Sequence, residues 1–599
     1  MRSPARVLNS LTKHSQTTEY RFERLYRILF NEEMYYLAYQ RIYAKPGNMT
    51  QGADGETIDR MSLPRIEKLI LSLKDESYSP QPSSRVHIPK KNGKTRPLGV
   101  PSFDDKLVQE VVRMVLEAIY EGHFEDTSHG FRPHRSCHTA LNAVQKTFTG
   151  KKWFIEGDIK GFFDNVNHDI LIDILKECIS DERSIRLIRK FLRAGYLEQW
   201  RFHGTYSGMP QGGIISPVLA NIYLDKLDKY MKEYAAGFDR GNRVRAYREY
   251  EVLTYQKRLV MRELKTATNN VERKVLVKRL KEIDKTRSAM PCFDPMDGNF
   301  KRLKYVRYAD DFLIGIIVSK VKIKDDIKRF LADRLALELS DEKTLVTHTE
   351  KPAKFLGYEV TVRKSNLQKR NKRGSLSRVY GNKVRLKVTT EVIKKKLLEL
   401  GVLKFSYHNG HEQWIPKHRS ELINNDDLEI LDSYNAEIRG FYNYYSIANN
   451  ASELNTFHYI MQYSMYKTFA GKYRTTVRRI CRKYKRNGVF TVGYTVKNGK
   501  AKERRLYNEG FKRKRPSYDR SVDRCPNPMP GVSTTSLIDR LKAQKCELCG
   551  ATDNLVMHHV RKLGELKGKE NWEKLMIARR RKTMAVCGSC HQKIHHGTF

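Results

Sequence analysis

Tyr308-Ala309-Asp310-Asp311 sits between the lead-in Tyr305-Val306-Arg307 and the apolar run Phe312-Leu313-Ile314-Gly315-Ile316-Ile317. Both flanks have the pattern of short buried strands, which places two adjacent carboxylates in the tight turn of a hairpin. Such a pair repels itself and resists burial, so a cation must sit beside it or it must face water. A third acid, Asp158, ends the apolar strand Trp153-Phe154-Ile155. A strand ending in one acid beside a hairpin ending in two is an arrangement for holding two divalent ions about 3.5–4 Å apart for phosphoryl transfer, and magnesium suits the hard oxygens. A second chemistry lies near the end of the chain. Cys546, Cys549, Cys587 and Cys590 form two Cys-x-x-Cys pairs, the ligand set of a tetrahedral zinc site. His558-His559 and His595-His596 lie between and after them. A structural zinc ribbon needs no histidines, whereas a metal-dependent nuclease needs a general base beside an ion-holding group.

The elements around these residues follow from patterning. Residues 1–80 are expected to be helical, with apolar residues at 22, 25, 26, 29 and 30 giving a 3.6-residue period. Asn92-Gly93 suits a tight hairpin turn that would carry Lys90 and Arg96 on neighbouring strands, two cations able to clamp a triphosphate. The Ser207–Pro217 stretch, with Gly208, Gly212 and Gly213 around Gln211, allows backbone to lie close against a ligand before a helix begins. Residues 229–300 are highly charged and read as inserted surface helices. Phe355-Leu356-Gly357-Tyr358 reads as a second short hairpin. Alternating strands and helices with acids on strand ends predict an α+β fold.

Composition points to the partner. The 599 residues carry 113 Lys and Arg against 68 Asp and Glu, a formal charge of +45. That excess is expected of a protein neutralised by a polyanion, and 33 Tyr with 24 Phe supply stacking surfaces. Nine cysteines, an odd number with four in close pairs, favour metal in a reducing compartment over disulfides. No apolar run has the length of a membrane span, and a bacterial cytoplasmic or nucleoid-associated protein is expected. Thr361 to Tyr380 holds seven basic residues and no acid, the composition of a loop along a phosphate backbone. Residues 391–470 are read as helical, with the aromatic run Phe441-Tyr442-Asn443-Tyr444-Tyr445 facing inward and Arg439, Lys467, Lys472 and Arg474 facing outward. Residues 471–520 hold eighteen basic and three acidic residues, Arg478 and Arg479 among them, and prolines at 516, 526, 528 and 530 suggest an extended linker.

Residues 30–360 resemble the reverse transcriptases encoded inside group II introns. The resemblance is carried by Gly52-Ala53-Asp54-Gly55, the Lys90-to-Gly99 hairpin, Gly130-Phe131-Arg132-Pro133, Asp158 to Asp164, Pro210-Gln211-Gly212, Tyr308-Ala309-Asp310-Asp311 and Phe355-Leu356-Gly357-Tyr358. It implies that Asp158, Asp310 and Asp311 are the metal-binding triad and that Phe163 packs under the sugar and excludes ribonucleotides. It also implies that Gln211 contacts the incoming nucleotide or template, and Lys90 and Arg96 the triphosphate. The Arg439-Gly440-Phe441-x-x-Tyr444-Tyr445 run is similar to the X/thumb domain of group II maturases. The last segment resembles the His-Asn-His endonucleases of such proteins. There His559 would activate water and His558 and His595 would hold magnesium or manganese, although Lys582 stands near the expected place of the central Asn and Asn571 lies further upstream.

The resemblance therefore implies a right-hand polymerase with fingers and palm, a helical thumb/X domain, a basic DNA-binding region and a small zinc-containing ββα endonuclease. The expected boundaries are 1–80, 81–360 with the insertion at about 229–300, 361–475, 476–535 and 536–599. The expected partners are group II intron RNA, a double-stranded DNA target and dNTPs. The competing whole-chain reading is an RNA-binding splicing cofactor with a relic polymerase and a degenerate zinc-ribbon DNA clamp.

Overall fold

The computed structural model describes the chain apart from residues 1, 18, 44–46, 90–94, 295–296, 318–320, 364–367, 371–375, 379–381, 496–500, 524–536, 580 and 598–599. Lys90 and prolines 526, 528 and 530 lie outside the described residues. The fold is mixed α+β.

At its centre is a four-stranded antiparallel sheet in the order Leu303–Tyr308, Asp311–Ile316, Trp153–Asp158, Leu345–His348. The strand after Asp311 is apolar at every position because both sheet faces are covered. Alternation then divides its side chains between two cores. Phe312, Ile314 and Ile316 join Ile155 and the N-terminal helices on one side. Leu313 joins Phe154, Val306 and the aromatic helices after residue 427 on the other. The 23-residue helix Ser216–Phe238 packs along the first face, starting with Pro217 in its first turn, where the missing N–H costs nothing.

The strands of the expected Lys90-to-Gly99 hairpin pair, Ser83–Pro89 antiparallel with Thr95–Val100, while its Asn92-Gly93 turn lies outside the described residues. The sheet extends through a parallel pairing of Ser83–Pro89 with Tyr196–Glu198. The charged insertion is a pair of helices, Arg248–Thr266 and Asn270–Ala289, with its own small core of Val260, Leu276 and Ile283. Its two ends meet: Arg240 and Lys301 exchange backbone hydrogen bonds of 3.0 and 3.1 Å.

Three local expectations change. Residues 19–25 are not helical, although helices do form at Pro4–Ser15, Glu32–Ile42 and Leu63–Lys74. Phe22 instead lies extended beside Ile179, donating to the carbonyl of Cys178 and accepting from Ser180 and Asp181. The tertiary pairing outweighs the weak helical period, and only Tyr26–Phe30 coils, as a 3₁₀ turn. Residues 391–470 are interrupted by the hairpin Leu403–His408 and His411–Pro416. The 361–380 stretch is not all loop, since Gln368–Arg370 pairs with Leu376–Arg378. Elsewhere the helices Asp427–Tyr445 and Leu454–Lys472 pack through stacked Phe441 and Phe457, whose centroids are 4.3 Å apart. Tyr463 is 37% exposed and is not a core residue.

Beneath the central turn, Arg307 is fully buried and ion-paired with equally buried Asp228. Its Nε donates to Asp228 Oδ1 at 2.8 Å. Tyr305 donates a hydroxyl bond of 2.9 Å to the same oxygen. Removing one member of a buried pair strands the other charge in a dry site. Asp228→Asn is therefore expected to destabilise the first urea unfolding transition by about 3–5 kcal/mol, against about 1 kcal/mol for Tyr305→Phe. Parallel denaturation curves of the two variants measure the difference.

Candidate functional site: a carboxylate centre and a histidine–cysteine domain

Register sets the geometry of the acids. Asp158, the last residue of its strand, stands directly opposite Asp311, the first residue of the neighbouring strand. Tyr308 pairs with Asp311, leaving Ala309 and Asp310 as a two-residue turn. Ala309 takes a left-handed φ of 56°. The turn is held from below by Arg307, which donates to the Ala309 carbonyl at 2.8 Å. Gly130 of the preceding basic loop lies so close that any side chain there would collide with the Ala309 backbone. The three acids thus converge at one edge of the sheet.

Their electrostatics are those of a centre built for a cation. Desolvation, and then the charges of Asp310 and Asp158, push Asp311 up to about 7, although its carboxylate edge reaches solvent. Desolvation, with Asp158 as the main neighbouring charge, raises Asp310 as well. Lys343 meets them, its Nζ 2.7 Å from Asp158 Oδ2. Lys343 comes from the turn after residue 339 and carried no motif in the sequence. Three hard carboxylates are a donor set that fits magnesium, and Lys343 offsets part of their charge.

Among the described nucleotide-side candidates, Arg96 lies close enough to act on the charge of Asp310. Arg96 Nε donates to Gln211 Oε1 at 2.7 Å, and the Gln211 carbonyl accepts from Gly99. The same loop reaches Phe163, whose carbonyl accepts from Met209 at 2.6 Å. Gly208, at φ 84°, lies so close to the carbonyls of Phe163 and Asp164 that a Cβ there would clash with both. Phe163 packs edge-on against Phe162 and is 9% exposed, at the boundary of the core.

The basic candidates divide. Arg439, Arg474, Arg478 and Arg479 are exposed. Lys467 and Lys472 do not face freely outward: Lys467 donates to the Pro416 carbonyl, and Lys472 pairs with Asp427 at 2.7 Å. Both brace the helices against neighbouring loops.

In the terminal domain, strands Leu555–His559 and Thr583–Cys587 pair antiparallel and lead into the helix Gly588–His596, a ββα unit. The thiols of Cys546, Cys549, Cys587 and Cys590 lie within 4.8 Å of one another and form the donor set of a structural zinc site. A separate cluster comprises His558, His591, His595 and Asp59. His591 and His595 lie one turn apart on the helix, so both rings project from one face. That i, i+4 spacing was the available signal for His591, which motif reading passed over. Asp59 had no local signal, standing about five hundred residues away in sequence. His558 carries two buried ring nitrogens without a hydrogen-bond partner, which fits a ligand to an ion. His559 is placed differently from its predicted partners: it is wholly enclosed, with Nε2 3.1 Å from the Tyr39 hydroxyl and Nδ1 3.1 Å from the Met557 carbonyl. Burial lowers it to about 4 and keeps it neutral. Asn571 opens a helix outside the cluster, and Lys582 closes the hairpin through its carbonyl to Val560.

Raised carboxylate affinities have a consequence for stability. Between about pH 4 and pH 7 the folded ion-free centre binds more protons than the unfolded chain, so its contribution to stability falls as pH rises. Thermal unfolding of chelator-treated protein is expected to show that decline, with a flatter slope across the same window in Asp311→Asn.

The comparisons with known proteins agree with this architecture. Residues 88–255 match the family described as Reverse transcriptase (RNA-dependent DNA polymerase), 382–515 the Type II intron maturase, and 546–591 the AI2M/AI1M-like, HNH endonuclease. The Group II intron-encoded protein LtrA of Lactococcus lactis subsp. cremoris is 43% identical over 606 residues, covering 100% of both chains. The Putative COX1/OXI3 intron 1 protein of Saccharomyces cerevisiae is 34% identical, over 96% of this chain and 69% of that one. Protein YkfC of Escherichia coli is 33% identical, over 58% of this chain and 84% of its own. Among the described residues no helix is long and apolar enough to cross a membrane. The chain belongs to the group II intron-encoded proteins, joining reverse transcriptase, maturase and HNH endonuclease in one multidomain enzyme.

Proposed function

We propose that this protein copies its intron RNA into DNA at the carboxylate centre, binds that RNA to assist splicing, and nicks a double-stranded DNA target to create the primer. The observation that carries the reading is the convergence of Asp158, Asp310 and Asp311 at one sheet edge, at the cost of mutual repulsion. A splicing cofactor with a relic polymerase has no physical need to keep that arrangement.

In this reading residues 81–360 are fingers and palm, 361–475 the thumb/X domain, 476–535 a DNA-binding region and 536–599 the endonuclease, with 1–80 leading into the fingers. Asp158, Asp310 and Asp311 hold magnesium, which when bound supplies charge neutralisation and acidifies a hydroxyl. Arg96, with Lys90 from the same hairpin, grips the dNTP triphosphate, and Arg suits it because its guanidinium offers two parallel donors. Gln211, already positioned by Arg96, lies against the base or template, and Phe163 walls the sugar. Arg439, Arg474, Arg478 and Arg479 meet RNA phosphates, while Lys467 and Lys472 shape the helices that present them. His558, His591 and His595 hold the nuclease ion, magnesium or manganese, and His559 accepts a proton from water once its ring is released from Tyr39. The workplace is the cytoplasm or nucleoid of a bacterium, where both RNA and target DNA are available.

Asp310→Ala is expected to lower primer extension on an RNA template at least about 100-fold, while intron RNA binding and splicing persist. Extension at the wild-type rate would remove the assignment. Changing Arg474, Arg478 and Arg479 together to Gln should reduce the salt dependence of intron RNA binding by roughly 2–3 in log–log slope, each phosphate contact contributing about 0.7–0.9. Salt-titrated filter binding reads this, with duplex DNA run alongside; a change confined to DNA would reassign the surface.

A further inference from the structure

The endonuclease domain is not tethered loosely to the rest of the chain. Residues 58–61 run beside its first strand: Met557 donates to the Met61 carbonyl at 2.8 Å and Arg60 to the Met557 carbonyl at 3.2 Å. Ile58 and Met61 are buried in one apolar cluster with Met557, Ala585, Leu537, Ile538 and Leu541. The N-terminal segment therefore shares a hydrophobic core with the terminal domain.

Two polar side chains cross that junction into the histidines. Asp59 Oδ2 lies 3.0 Å from His591 Nε2 and 2.9 Å from His595 Nε2. Its Oδ1 accepts from the His559 backbone at 2.8 Å and stands 3.6 Å from His558 Nδ1, beyond hydrogen-bond length. His558 thus faces Asp59 with no direct bond to it, and its two buried ring nitrogens are left without partners. Four ligands at roughly 2.0–2.2 Å from a tetrahedral ion are separated by roughly 3.3–3.6 Å, against 2.9–3.6 Å from Asp59 to the three imidazoles and no more than 4.8 Å between any two of the four donor atoms here. Tyr39, fully buried, contributes the second crossing contact by occupying the His559 nitrogen.

We propose that Asp59 is the fourth ligand of the nuclease ion, so that this ion also latches the endonuclease domain to the N-terminal segment and DNA must displace Asp59 to reach it. The inference rests on the reading that His558, His591 and His595 hold an ion. Three neutral imidazoles and one carboxylate suit a first-row divalent cation such as manganese or zinc better than magnesium, which prefers oxygen. In the latched form both requirements for cleavage are withheld. A phosphate oxygen has no ligand position while Asp59 fills it, and the Tyr39 hydroxyl takes the imidazole lone pair that would receive water's proton. A chain of charge +45 attracts DNA phosphates regardless of sequence, so a masked nuclease would limit cutting away from the target. Undocking of residues 58–61 removes Asp59 and the strand pairing together, because both lie on the same four residues, and the base is freed when the domain also parts from Tyr39 on the helix Glu32–Ile42.

The test uses the full chain, zinc-loaded at its thiols, in an Asp310→Ala background that removes the polymerase ion. Mn2+ is titrated by electron paramagnetic resonance, and amide hydrogen exchange is followed with and without Mn2+. The background protein should bind one tight Mn2+, which His591→Ala loses. Asp59→Asn, nearly isosteric, should weaken that Mn2+ at least roughly 10-fold while zinc content stays constant. Mn2+ should slow exchange at Arg60, Met557 and His559 in the background protein and not in Asp59→Asn. At saturating Mn2+ and without intron RNA, Asp59→Asn should nick supercoiled plasmid several-fold faster. If His591→Ala loses the ion but Asp59→Asn matches the background in affinity and exchange, the ion belongs to the endonuclease domain alone and the latch is overturned. If His591→Ala leaves Mn2+ binding unchanged, the underlying assignment of the nuclease ion fails and the latch fails with it.

Discussion

Two neighbouring aspartates can be kept at a sheet edge only if the backbone beneath them is fixed, and Arg307 fixes it. Its guanidinium, sealed from water, donates to Asp228, Asn221, Ser128 and the carbonyl of Ala309. Its main chain is bound to Thr127 and His129. One side chain therefore joins the long helix carrying Asn221 and Asp228, the basic loop around Gly130 and the acidic turn. Desolvation opposes the charge on Arg307, but Asp228 more than offsets it and holds the guanidinium protonated. The backbone beneath the three acids is thus held by a dry ionic network one layer below them, while Lys343 and Arg96 oppose their charge from the side.

Much of this centre was legible in the sequence because strand periodicity is local. The apolar runs beside Asp158 and Asp311 determine which faces are buried, and their pairing places the acids opposite one another. The two hairpin turns, Ala309-Asp310 and Leu356-Gly357, were readable for the same reason. Cysteine spacing gave the zinc ligands directly. What was not legible depends on contacts between distant segments. Phe22 sits in an apolar period that suits a helix, yet its backbone is claimed by Cys178 and Ser180. Lys472 has the composition of an RNA-facing lysine and is instead paired with Asp427. Asp59 resembles any loop aspartate until the chain closes on itself. Charge counts identify the class of partner, but they cannot tell which cations are already spent on internal carboxylates or carbonyls.

The same closure joins the functions that the domain sequence presents as separate. The aromatic helices after residue 427 pack against the reverse face of the central sheet through Leu313 and Val306. Tyr308, beside the acidic turn, donates to Asp523 at 3.0 Å, and Ser136 donates to the carbonyl of Ser517. The end of the basic segment, at Ser517 and Asp523, is thereby anchored beside the acidic turn.

The inserted helical pair has the opposite character. It leaves the long helix at Asp239 and returns to the sheet at Leu303, whose amide donates to the Asp239 carboxylate at 2.8 Å, and its interior contacts are largely its own. An arm whose entry and exit touch is topologically a bead on a closed loop. Its length is then free to drift, to lengthen, shorten or vanish, without altering the distance that the two flanking segments must span, and the central sheet is blind to what is carried at its tip.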